Sequence, residues 1–110
     1  MDEAEYERRA FPELRALVGA IDALEADGLE AELSGDILSL SFESGDEYVI
    51  NSHRAARQIW MAAERTAWHF DWDEAGGHWV ARKTGDELWA TVASVLSRKL
   101  GRPVSLSQSG

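Results

Sequence analysis

The sequence predicts an α+β protein, a two-layer α-β sandwich with two helices packed on one face of a roughly six-stranded antiparallel sheet. Three observations predict it. Apolar residues recur at helical spacing near both ends of the chain. Between them, short runs alternate apolar and polar residues. The turns separating those runs are of hairpin length, too short for a parallel crossover, so consecutive strands pair antiparallel. Two amphipathic helices can then cover one sheet face and leave the other to water.

Leu14, Leu17, Val18, Ile21 and Leu24 recur at steps of three and four, which sets them on one helix face. Pro12 is compatible with the first turn of that helix or with a kink in a longer one, and a long, kinked helix starting near Asp2 and ending at Gly28 is expected. Leu29-Glu30-Ala31-Glu32-Leu33 alternates apolar and acidic residues, and Ser34-Gly35-Asp36 supplies a turn. Leu38, Leu40 and Phe42 alternate with serines before a second turn at Ser44-Gly45-Asp46. Tyr48-Val49-Ile50-Asn51 and Gln58-Ile59-Trp60-Met61 read as the third and fourth strands, Trp68 to Trp72 as the fifth, and Trp79-Val80 as the sixth. Thr84-Gly85-Asp86-Glu87 matches the capping-box pattern that opens a second helix with Thr84 as the cap. Leu88, Trp89, Val92, Val95, Leu96 and Leu100 form its apolar face, and Gly101 and Pro103 stop it. Val104-Ser105-Leu106 still alternates and is expected to pack.

The chain has 110 residues, 45% apolar and 28% charged, so a single globular domain spanning residues 1–110 is expected. It has no cysteine. That excludes disulfides, thiolate zinc sites, a cysteine nucleophile and a self-held iron–sulfur cluster with cysteine ligands. A net charge of −9 argues against general nucleic-acid or anionic-membrane binding. No run approaches the roughly 20 apolar residues of a membrane span. The first ten residues, MDEAEYERRA, are too charged for a secretory signal, so a cytoplasmic location is expected. The charge is uneven: residues 1–47 hold fourteen acids against three arginines, a net of −11, while residues 48–110 hold eight basic residues and six acids, a net of +2. An electrostatic partner of the first half should therefore be cationic.

Two features carry candidate chemistry. If Ile59 and Met61 face the helices, alternation turns Gln58 and Trp60 outward, with Asn51 and His69 on the same face. A tryptophan there reads as a protein-binding hot spot, and the alternative is that it joins the other four tryptophans in the core. The second feature is acidic. Glu3 and Glu7, and Asp22 and Glu25, are spaced to share helix faces, and Glu30 and Glu32 share a strand face. Oxygen-only clusters suit hard cations such as calcium, magnesium or iron, and the alternative is a solvated acidic surface. His53, His69 and His78 have no metal-ligand spacing, and no GxSxG, Walker or GxGxxG motif occurs. Asp71 and Asp73 flank Trp72, a carboxylate pair that a hydrolase could use but that more simply ends a strand in solvent.

Tyr48-Val49-Ile50-Asn51, the stretch from Ser52 to Arg57, and Gln58-Ile59-Trp60 together resemble the frataxin family, its bacterial branch most closely. Leu38-Ser39-Leu40-Ser41-Phe42-Glu43-Ser44-Gly45 before this block, and Phe70-Asp71-Trp72 and Trp79 after it, fit the same pattern. The resemblance implies an α-β sandwich that binds iron, Fe²⁺ or Fe³⁺, weakly through an acidic ridge. It also implies docking on the cysteine desulfurase and scaffold protein of iron–sulfur cluster assembly. Carried onto this chain, the ridge falls on Asp22, Glu25, Asp27, Glu30 and Glu32, with Glu3 and Glu7 near the helix start, and the partner face on Asn51, Gln58, Trp60 and His69. The chain also departs from the pattern. Val18, Gly19 and Ala23 stand where bacterial relatives are often acidic, and His53 and His69 where eukaryotic members tend to have glutamine and arginine. Three readings remain: an iron-binding regulator of cluster assembly, a metal-independent interaction module, and a ferroxidase. The last fits least, because such centres bury Glu and His around two irons inside helical bundles.

Overall fold

A computed structural model describes residues 1–106. Helix α1 (Glu3–Asp22) is followed by β1 (Leu29–Ser34), β2 (Ile37–Phe42), β3 (Glu47–His53), β4 (Gln58–Ala63), β5 (Thr66–Asp73), β6 (His78–Ala81), β7 (Asp86–Glu87) and helix α2 (Leu88–Leu100). The strands form one antiparallel sheet in sequence order. The architecture is the expected one with one strand more, since β7 is a two-residue run that the short, polar Asp86-Glu87 pair does not announce.

One core fills the space between the layers. Tyr6, Ala10, Leu14, Leu17 and Ile21 of α1 and Leu88, Trp89, Val92, Val95 and Leu96 of α2 meet inward residues of the sheet, among them Leu38, Leu40, Ile50, Ile59, Met61, Phe70 and Trp79. The period-2 alternation holds on β2, β3 and β4, where every second residue is buried. Val104 and Leu106 pack against this core, and the Val104 N–H donates to Ser97 Oγ at 2.9 Å, as the alternation of the tail suggests.

The expected start of α1 near Asp2 holds, and two other helix boundaries differ from expectation, the end of α1 and the start of α2. Helix α1 runs through Pro12, with Asp2 as its N-cap, its carboxylate accepting from the Glu5 N–H at 2.8 Å. It ends at Asp22, not at Gly28. Gly28 instead takes a φ of 79° just before β1, a conformation only glycine adopts freely. At the start of α2 the cap is Glu87 rather than Thr84. The Glu87 carboxylate accepts from Trp89 and Ala90 N–H, while the Thr84 hydroxyl donates to Asp86 at 2.8 Å. The chain is still extended at Asp86 and Glu87 because β7 pairs with β6, and that moves the helix start past the sequence motif.

A carboxylate sits between the helices. The Trp89 indole N–H donates to Glu13, and burial pushes the Glu13 carboxyl above its usual range against that hydrogen bond. A raised folded-state pKa contributes stability that is present in acid and lost as pH rises through the folded value. Glu13→Gln, which keeps an oxygen for the indole, should therefore stabilise the protein at neutral pH relative to the parent, with the difference shrinking as pH falls toward 4. Thermal unfolding at several pH values checks this, and a pH-independent difference contradicts it.

Candidate partner-binding face and acidic end

The outer sheet face is set by strand register. Ile37, Asn51, Trp60 and His69 lie opposite one another across β2 to β5. The adjacent row holds His53, Gln58, Asp71 and Val80. Because residues two apart along a strand share a face and lie about 6.5–7 Å apart, these two rows form one continuous patch. Ile37 is 47% exposed on this face, one of two large apolar residues so exposed among the described residues.

Trp60 points outward, as the alternation predicts, but it is half-buried rather than largely exposed. The cover comes from the two flanking strands, β3 and β5. The His53 ring stacks on the indole at 3.8 Å between centroids and 14° between planes, and the His69 ring stacks on it at 4.3 Å and 17°. The indole N–H donates to Gln58 Oε1 at 2.7 Å, and Gln58 Nε2 donates to Asp71 at 3.1 Å. Arg82 lies 3.9 Å from the same Asp71 carboxylate. Asn51, also half-buried, donates to the Ser52 carbonyl at 3.0 Å. Of the other tryptophans, Trp79 is fully buried, while Trp72 is half-buried like Trp60, beneath the Arg9 guanidinium.

Below this face, Tyr6 of α1 ties the helix start to the sheet. Its hydroxyl shares a 2.6 Å hydrogen bond with Ser52 Oγ and donates to the Gln58 carbonyl at 2.6 Å. Burial raises its pKa.

The acids separate into two groups. Twenty residues of helix at about 1.5 Å each put Glu3 and Glu7 roughly 25 Å from Asp22. Both engage Arg54 of the β3–β4 loop, Glu7 at 2.6 Å and Glu3 at 3.7 Å, which sets them beside the partner face instead of on a continuous ridge. Asp22 and Glu25 do not share a helix face, because α1 ends at Asp22 and Glu25 lies beyond it at a φ of 48°. Asp22, Glu30 and Glu32 do converge, lining one shallow concavity with Ser39, Ser41 and Glu47, and Asp27 is exposed in the loop before β1. Glu30 and Glu47 both flank Ser41, two strand spacings apart at about 9–10 Å. Among the described residues no group of three or more His, Asp or Glu is arranged to hold a metal ion.

The family is shown by comparison with known sequences. A family model for the frataxin-like domain matches residues 1–102. The chain belongs to the frataxin family. It is 34% identical over 89 residues to the iron–sulfur cluster assembly protein CyaY of Azotobacter vinelandii, covering 79% of this chain and 81% of that protein. With the protein of the same name from Paraburkholderia phymatum it shares 32% identity over 107 residues, covering 97% and 99%. In three dimensions it resembles the frataxin of Psychromonas ingrahamii with a TM-score of 0.87 at 21% identity, over 97% of this chain and 99% of that one. It also resembles a trimeric yeast frataxin with a TM-score of 0.74 at 23% identity, over 86% and 80%. These two likenesses speak to the frataxin fold.

Within this frataxin-family chain, sequence reasoning missed three residues around the candidate surfaces. No ligand spacing marks His53, yet it covers one face of Trp60. Arg54 pairs with acids 47 and 51 positions away, which no local pattern signals. Glu47 joins the Asp22 concavity through pairing with Ser41, and the alternation starting at Tyr48 carries that information one residue short. Among the described residues no helix is long and apolar enough to cross a membrane.

Proposed function

We propose that this chain is a binding regulator of iron–sulfur cluster assembly, which docks on the cysteine desulfurase and its scaffold protein through the outer sheet face and carries iron loosely on its acidic end. The observation that carries this reading is the Trp60 constellation: a tryptophan on the solvent-facing side of a sheet, flanked by Asn51, Gln58 and His69, in a chain whose relatives are named for cluster assembly. Tryptophan gives large burial with few rotatable bonds, which suits an interface anchor.

Iron is here cargo rather than a resident cofactor. The residues available suit a hydrated cation held by field, not a caged one: Asp22, Asp27, Glu30 and Glu32 are exposed oxygen donors that would leave most of the ion's water in place. Glu3 and Glu7 already face Arg54 and fit this role less well. Replacing Asp22, Glu25, Glu30 and Glu32 by the matching amides should abolish the NMR perturbations that Fe²⁺ or Co²⁺ produces at these positions while leaving the fold intact. An unchanged metal titration in that variant would remove iron from the reading.

The absence of any three-ligand group among the described residues favours a second reading, in which the acids meet basic residues of the desulfurase and no metal takes part. Desulfurase activity measured with and without iron separates the two. An effect of the chain that depends on iron supports the first reading, and one indifferent to iron supports the second.

A further inference from the structure

We infer that His53 is a positioning residue for Trp60, holding the indole between two imidazoles so that it meets the partner by its edge. This rests on the docking reading above and specifies the kind of contact that docking makes. Both faces of the indole are covered, by His53 at 3.8 Å and by His69 at 4.3 Å, with both imidazoles nearly parallel to it. Its N–H is occupied by Gln58. What remains for a partner is the rim of the ring, so the matching surface is one that receives the indole edge-on. A partner arginine or aromatic ring laid flat on the indole would first have to displace an imidazole.

His53 is itself fixed, which is what allows it to position another group. Its Nδ1 accepts the Ala56 N–H at 3.3 Å, across the β3–β4 loop that Arg54 ties to Glu7. The same ring therefore closes a loop on one side and covers an indole on the other. Immobilising a side chain before binding removes an ordering cost from the association, so loss of the stack should weaken docking about 2- to 10-fold without removing any atom of Trp60.

Two substitutions divide the roles of the ring. His53→Asn keeps a short acceptor that can reach the loop N–H but has no ring to stack, whereas His53→Phe keeps a ring and loses the acceptor. In the free protein, NMR should show the ring protons of His53 and His69 shifted upfield by the Trp60 ring current. The Trp60 indole N–H resonance should move in His53→Asn and stay close to the parent in His53→Phe. Binding to the cysteine desulfurase should weaken about 2- to 10-fold in His53→Asn and be largely restored in His53→Phe. The upfield shift of the imidazoles should persist in the complex. An unmoved Trp60 resonance in His53→Asn overturns the proposal, as does equal weakening by both variants or loss of the imidazole shifts on binding. If the parent itself does not bind the desulfurase, the docking reading fails, and the free-protein spectra still decide whether His53 positions the indole.

Discussion

Trp79→Ala should cost about 3–5 kcal/mol of folding stability, the range for truncating a fully buried large aromatic. Trp79 has no exposed surface, touches Tyr6 edge-on at 6.0 Å between centroids and meets Trp72 at 5.6 Å. Removing it opens a cavity beside the rings of Tyr6 and Trp72. Because small domains are stable by only about 5–15 kcal/mol, the loss is a large share of the total. Denaturant unfolding should show the midpoint falling steeply. A shift below about 1 kcal/mol would mean that the core is not organised around this residue. Trp60→Ala serves as the internal control, since it removes a half-buried ring stacked only on imidazoles and should cost well below that range.

The same Trp60→Ala variant should have the larger effect on association. If Trp60 anchors docking, its truncation should weaken binding to the cysteine desulfurase by about 2 kcal/mol or more, roughly 30-fold in Kd. The loss should be mainly in dissociation rate, because short-range packing at an anchor is made after encounter. Near-parent affinity in a folded Trp60→Ala protein would move the interface elsewhere.

Local chemistry made much of this protein legible. Alternation along Leu38-Ser39-Leu40 and Gln58-Ile59-Trp60 assigned both the strands and the face of Trp60, because side-chain direction in a strand depends only on parity. Helix ends were less legible. Thr84 matched a capping motif, yet pairing of Asp86 and Glu87 with β6 kept the chain extended past it, and only the tertiary fold supplies that pairing. Sequence spacing overstates the continuity of the acidic end. Helical periodicity carried past Asp22 joins Glu25 to a face that has already ended, and the Arg54 contacts that hold Glu3 and Glu7 depend on contacts distant in sequence. The extent of Trp60 burial was illegible for a related reason: parity puts an aromatic on a face but does not say whether its cross-strand neighbours will lie flat on it.

The acidic first half and the sheet face make different contributions to docking, and the two can be separated by salt. Exposed charges act at long range and are screened, with a Debye length of about 10 Å at 0.1 M, whereas packing of an indole edge is insensitive to salt. The most direct test of the docking account is stopped-flow association with the cysteine desulfurase at several salt concentrations. The parent should associate more slowly as salt rises, a variant carrying Asp22→Asn, Glu30→Gln and Glu32→Gln should show a flatter slope, and Trp60→Ala should keep the parent's slope while dissociating faster. An association rate independent of salt, or no association at all, would contradict the account.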